Sequence, residues 1–139
     1  MNVKKLDDHC HLSNERRLHT RLTSPHESNE DLQRFFEKTA EKMPGGGRWC
    51  FAAPLHPVAH KRMPDAVTTI DEFIHRFEPE RVRVALLSPN HMGNSDLQWD
   101  NGRDLSEDLL AIKRVEVIRI DVRKRKKNGL LLADFFDFT

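Results

Sequence analysis

The chain has 139 residues, with 23 Lys and Arg against 22 Asp and Glu and a formal net charge of +1. This length suggests one domain, large enough to bury a core without disulfides or a metal. With 37% hydrophobic and 32% charged residues, the composition excludes a collagen-like repeat, a disulfide scaffold and a membrane protein. Residues 1–12 lack the apolar core of a secretory signal, and the chain has only two cysteines. We therefore expect a cytoplasmic protein.

The N-terminal 27 residues are a polar segment whose order the sequence leaves open. Leu12, Leu18 and Leu22 give only a weak helical stripe, and the Thr-Ser-Pro run at residues 23–25 is typical of a loop. We expect loop or short helix in this segment, followed by a single α/β domain over residues 28–139.

Three later segments have the apolar period of helices. The strongest spans residues 28–43, where Ser28 is the expected N-cap and a proline with three glycines ends the helix. A second runs from about residue 70 to 77 behind a capping box that begins at Thr69. A third covers about residues 107–113, with Ser106 as its expected cap.

Strands are predicted at residues 48–53, 81–87 and 114–123, the last with a bulge at Ile118. Asn128-Gly129 is a hairpin signal, so residues 130–138 are predicted to return as an antiparallel strand. Strands separated by helices favour parallel pairing. The predicted fold class is α/β or α+β, with a mixed sheet of about four strands, a C-terminal antiparallel hairpin and about three helices.

Basic residues concentrate in one part of an otherwise balanced chain. Residues 113–127 contain eight Lys or Arg, opposed by two acidic residues. Such a cluster indicates a local anionic partner, and a ribbon with a cationic tip fits a nucleic-acid groove or backbone. Predicted nucleic-acid contacts are Arg119, Arg123, Lys124, Arg125, Lys126 and Lys127, together with Trp99, which lies in a long polar loop (residues 89–104) and can stack on a base. The alternative is a solvated hairpin whose lysines prevent edge pairing.

Histidines are the second feature of the sequence that indicates a function. The run at residues 7–11 (DDHCH) places five potential ligands in succession, and other histidines follow two predicted parallel strands. Because the carboxyl ends of parallel strands share one sheet edge, these imidazoles can converge on zinc or another divalent ion. The predicted metal ligands are His9, His11, His56, His60 and His91. The alternative is a set of surface histidines on polar loops.

The segment DDHCHL at residues 7–12 resembles the His-x-His start of the TatD-type metal-dependent hydrolases. The resemblance would make His9 and His11 metal ligands. It covers about six residues, and the barrel of that family needs a longer chain than this one. We treat the match as coincidence and assign no family from it.

Three functions follow from these features, and we expect a binding protein rather than an enzyme. The first is a small cytoplasmic accessory or regulatory protein that contacts nucleic acid or a nucleic-acid-handling complex through the basic hairpin, with no cofactor and no membrane partner. The second is a metal-dependent hydrolase or nuclease with a histidine-based site, whose catalytic residues are unknown. The third is a protein–protein interaction module or homodimer anchored by Trp99 and the phenylalanines near the C-terminus.

Overall fold

Strands alternate with helices along most of the chain in the computed structural model, which describes residues 9–12, 15–88 and 104–137. Contacts between residues divide the chain into two units, Met1–Pro64 and Asp65–Thr139. The described residues contain four helices, one sheet of three strands and one of two. The mixed α and β class is therefore confirmed, but the strands form two small sheets rather than one. A single domain over residues 28–139 stays a prediction.

The first unit contains β1 (His9–His11), β2 (Arg16–Thr20), α1 (Leu32–Lys42) and β3 (Arg48–Ala52). β2 is the central strand, antiparallel to β1 and parallel to β3. The prediction of loop or short helix ahead of residue 28 is wrong here. The polar run RRLHT becomes a strand because its backbone pairs along its whole length with β3.

The α1 helix confirms the strongest helical prediction but begins four residues later than expected. Asp31 is its N-cap and accepts a hydrogen bond from the Arg34 N–H. Ser28 instead belongs to the preceding turns, where its N–H and hydroxyl both donate to the Ser24 carbonyl. Phe35 and Thr39 are the buried residues of the helix. The core of this unit also includes Met63, which is 1% exposed.

The second unit contains α2 (Ala66–Phe77), β4 (Val82–Ser88), α3 (Leu105–Leu110), β5 (Val115–Asp121) and α4 (Arg125–Phe136). β4 and β5 are parallel, as predicted for strands joined through a helix. Its core holds Ala66, Ile70, Leu86, Leu105, Leu109, Val115 and Ile120.

Aspartates cap both middle helices in place of the expected residues. Asp65 accepts from the Thr68 N–H, so α2 begins one turn before the predicted start. Asp104 accepts from the N–H of Ser106 and starts α3. Each aspartate lies upstream of the expected cap, Asp104 two residues before Ser106 and Asp65 four residues before Thr69. Aspartate competes with Ser and Thr for the cap position, because its carboxylate also interacts favourably with the helix dipole.

The bulge predicted at Ile118 is wrong. β5 pairs with β4 without interruption, from Val82 opposite Val115 to Ser88 opposite Asp121. Val117 and Ile118 point to opposite faces, and both are half-buried. Because each face of β5 is partly covered, consecutive apolar residues fit a regular strand.

The C-terminal antiparallel hairpin is also wrong, since residues 125–136 form α4. The Asn128 side chain donates to the Asp121 carbonyl at 2.8 Å, so it anchors the helix to the end of β5 rather than making a turn. Leu132, Phe135 and Phe136 have helical spacing and are the half-buried apolar residues. Their packing overrides the local turn preference of Asn-Gly.

Candidate nucleic-acid interface

The basic segment (residues 123–127) lies where β5 ends and α4 begins, not at a hairpin tip. Its five side chains, Arg123, Lys124, Arg125, Lys126 and Lys127, are all exposed. The predicted cluster is therefore a compact cationic surface on a short turn and the first turn of a helix.

Arg123 is the member of this segment that already has an anionic partner. Its Nε donates to Asp121 Oδ1 at 2.8 Å, and its Nη2 donates to Oδ2 at 3.0 Å. This side-chain pairing, with a smaller contribution from the backbone N–H bond of Arg123, lowers the pKa of Asp121 to about 2. The side-chain hydrogen bond and the charge of Asp121 raise the pKa of Arg123. The other four cations form no ion pair with any described residue.

The start of α4 is electrostatically unusual. Lys124 occupies the N-cap position without a side-chain hydrogen bond to the helix, and the first turn carries no acidic residue. The peptide N–H groups at a helix N-terminus carry partial positive charge, which repels cationic side chains. Arg125, Lys126 and Lys127 therefore stand in an unfavourable position that a bound anion would relieve.

Arg119 interacts with the residues at the start of α3 rather than with the basic segment. Its Nη2 donates to Ser106 Oγ at 2.8 Å and lies 3.2 Å from Asp104 Oδ2. Hydrogen bonds from Ser106, with a smaller contribution from the Arg119 charge, hold the pKa of Asp104 below its ordinary value. Arg119 thus ties β5 to the start of α3. Trp99, the predicted stacking residue, lies outside the described residues.

The predicted metal ligands occupy different places. His9 and His11 lie on β1, His56 contacts Glu27 through Nε2 at 3.3 Å, and His60 forms a backbone bridge with Met63. His91 lies outside the described residues. Within the part of the chain that the structure describes, no three His, Cys, Asp or Glu side chains form a group that could hold a metal. A zinc or other divalent site stays a prediction.

Sequence reasoning missed a contact between the sheet residues Arg17 and Trp49. The Arg17 guanidinium lies over the Trp49 ring, 4.2 Å from its centroid, and donates to the Gly46 carbonyl at 3.1 Å. Alternation in the predicted strand places Trp49 on one face, but the partner strand was not predicted, so nothing in the sequence paired the two residues.

Among the described residues, none of the helices has the length and apolar character to cross a membrane.

No family model, curated protein or solved structure matches this chain. The contacts, exposure and charge of this chain are therefore the basis on which its function is inferred.

Proposed function

We propose that this chain is a small accessory or regulatory protein of the cytoplasm that contacts nucleic acid, or a nucleic-acid-handling complex, through the basic segment. One observation carries the proposal: four exposed cations without ion-pair partners among the described residues surround a helix N-terminus that no side chain caps. Phosphates would satisfy both the cations and the peptide N–H groups.

The two cysteines of the chain do not form a disulfide with each other in this fold. Cys10 and Cys50 both pair with Leu18, one from each side of the central strand. Two strand spacings separate their backbones by about 10 Å, beyond the reach of a disulfide.

The test is fluorescence anisotropy with short single- and double-stranded DNA and RNA over a range of salt concentrations. A Lys124→Gln/Lys126→Gln variant should bind more weakly, and its plot of log affinity against log salt should flatten by about 1–2. Arg76→Gln/Arg81→Gln removes the same charge from exposed sites elsewhere in the second unit and serves as the control. Equal losses in both variants, or no binding at low salt, would overturn the proposal.

A specific observation also favours a protein interface as the second candidate. Leu130 is 80% exposed and Leu131 is 46% exposed on α4, directly after the basic segment. The expected anchors Phe135 and Phe136 are half-buried instead, and Phe138 and Trp99 lie outside the described residues. Sedimentation analysis of the wild type and a Leu130→Gln/Leu131→Gln variant tests self-association through this surface.

A further inference from the structure

One face of the three-stranded sheet collects aromatic rings around a single guanidinium. Residues paired across a sheet share a face, and the register aligns His11 with Arg17 and Trp49 in one row. The next row on the same face contains His9, opposite His19. Alternation places Cys10, Arg16 and Leu18 on the other face.

The contacts within this face show an ordered cluster. The His9 ring is edge-on to the Trp49 ring, with centroids 5.2 Å apart, and to the His19 ring, with centroids 5.3 Å apart. His9 and His11 are exposed, whereas Arg17 and Trp49 are half-buried. The cluster therefore has Trp49 and Arg17 in its half-buried part and the two exposed imidazoles of His9 and His11 beside them.

The glycine run after α1 holds the guanidinium in place. Gly46 accepts the hydrogen bond from Arg17, and a Cβ at Gly47 would stand 3.1 Å from Arg17 Nη2. Gly47 also has a φ of +123°, a backbone conformation that residues other than glycine rarely adopt. Gly47 thus does more than follow a helix, since the absence of a side chain lets the backbone approach Arg17 closely.

On this face Phe51, which pairs with His19, contacts Phe35 of α1, with ring centroids 6.1 Å apart. We infer that the part of the face formed by His9, His11, Arg17 and Trp49 stacks the unpaired bases of a single-stranded nucleic acid. Planar aromatic and guanidinium groups stack on any base, and such contacts favour single strands, whose bases are open. The inference rests on the proposed function and deepens it, because it adds a surface of the first unit that contacts bases.

Charge separates this assignment from the other common use of an aromatic cluster. Aromatic cages bind quaternary ammonium groups through the negative face of the ring. Here Arg17 already occupies the Trp49 face and would repel a second cation. The Arg17 guanidinium offers a nucleic acid both a planar group on which a base can stack and a positive charge that complements the phosphates.

The test compares a single-stranded uridine oligomer with an abasic oligomer of equal length, by anisotropy at fixed salt. The wild type should bind the uridine oligomer at least about fivefold more tightly, since each stacked base contributes a factor of this size or more. Arg17→Lys, which keeps the charge but removes the plane, should lose this preference. Arg16→Lys makes the same change on the opposite face of the same strand and should keep it.

A His9→Ser/His11→Ser variant provides a second measurement on exposed residues of an edge strand, and it should also bind the uridine oligomer more weakly. Equal affinity of the wild type for both oligomers, with the salt dependence intact, would overturn the stacking inference alone and leave a protein as the occupant of this face. Absence of binding to any nucleic acid at low salt would overturn the proposed function as well.

Discussion

Arg21 and Glu30 form an ion pair at 2.8 Å in which the Glu30 side chain is 3% exposed and that of Arg21 is 15% exposed. Lys38 Nζ contacts the other carboxylate oxygen of Glu30 at 2.5 Å. Arg21 also donates through Nε to the Thr23 carbonyl at 2.6 Å. The carboxylate therefore joins the residue after β2 to α1 and gives the intervening loop a buried polar centre.

Replacing this buried carboxylate should destabilise the protein. In Glu30→Gln, the two cations keep their positions but lose the charge that compensates them, so we expect a loss of about 2 kcal/mol in the free energy of unfolding. Glu37→Gln is the matched control, because Glu37 pairs with Arg34 at 3.5 Å with both side chains about half exposed. That pair should contribute less than about 0.5 kcal/mol. Urea denaturation of the two variants compares the effects, and similar losses would contradict the assigned role.

The same group predicts a dependence of stability on pH. Burial raises the pKa of Glu30, but hydrogen bonds from Arg21 and Lys38 and their charges outweigh it, so the pKa lies below its ordinary value of 4.5. The unfolded chain then binds the proton first as the pH falls. The stabilisation is complete above the unfolded pKa and is lost as the pH falls through the folded pKa.

Urea denaturation at a series of pH values below 5 should therefore show a steeper loss of stability for wild type than for Glu30→Gln. Glu37→Gln should follow the wild-type slope. A Glu30→Gln curve parallel to the wild type would show that this carboxylate does not supply the dependence.

Gly129→Ala distinguishes the observed helix from the predicted hairpin. Gly129 lies inside α4 without a positive φ, and an added Cβ meets nothing within 4 Å. Alanine should therefore stabilise the protein by about 0.5–1 kcal/mol, because glycine has the larger entropy loss in a helix. In an Asn-Gly hairpin turn, where the glycine has a positive φ, the same change would be destabilising. Thermal unfolding followed by circular dichroism measures the sign.

Asp121→Asn should strengthen nucleic-acid binding. The change releases the Arg123 guanidinium, and an amide oxygen can still accept the backbone N–H of Arg123, which now bonds Asp121 Oδ1 at 3.1 Å. One further phosphate contact should steepen the salt dependence by about 0.9. Asp134→Asn alters the net charge equally at an exposed position on α4 and should have a smaller effect. Anisotropy titrations compare the two, and weaker binding by Asp121→Asn would contradict the proposed interface.

Elements with strong apolar periodicity could be predicted from the sequence, whereas β2 and α4 could not. The alternating valines of β4 and the stripe ending in Phe77 on α2 determine their own structure locally. β2 has one buried apolar residue, Leu18, and the segment becomes a strand through pairing with β3. In α4, the spacing of Leu132, Phe135 and Phe136 was the correct signal, but the Asn-Gly pair indicated a turn more strongly.

The candidate sites differ in predictability for a related reason. Residues 123–127 are contiguous, so their proximity required no knowledge of the fold. The histidines come from distant segments, and the contact of Arg17 with Trp49 depends on a strand register. Register is set by tertiary pairing, which a single sequence without its fold does not specify.

The two parallel ladders span nearly equal lengths of chain. Arg16 pairs with Arg48, a separation of 32 residues (16 to 48). Val82 pairs with Val115, a separation of 33 residues (82 to 115). Loop-closure entropy grows only with the logarithm of loop length, so the two sheets incur the same entropic barrier to their first parallel contact. The antiparallel pair, in which His11 meets Arg17, closes a much shorter loop and can form before either. We therefore expect the local stability of α1 and α3, the helices within the two crossovers, to contribute to any difference in folding rate between the two units.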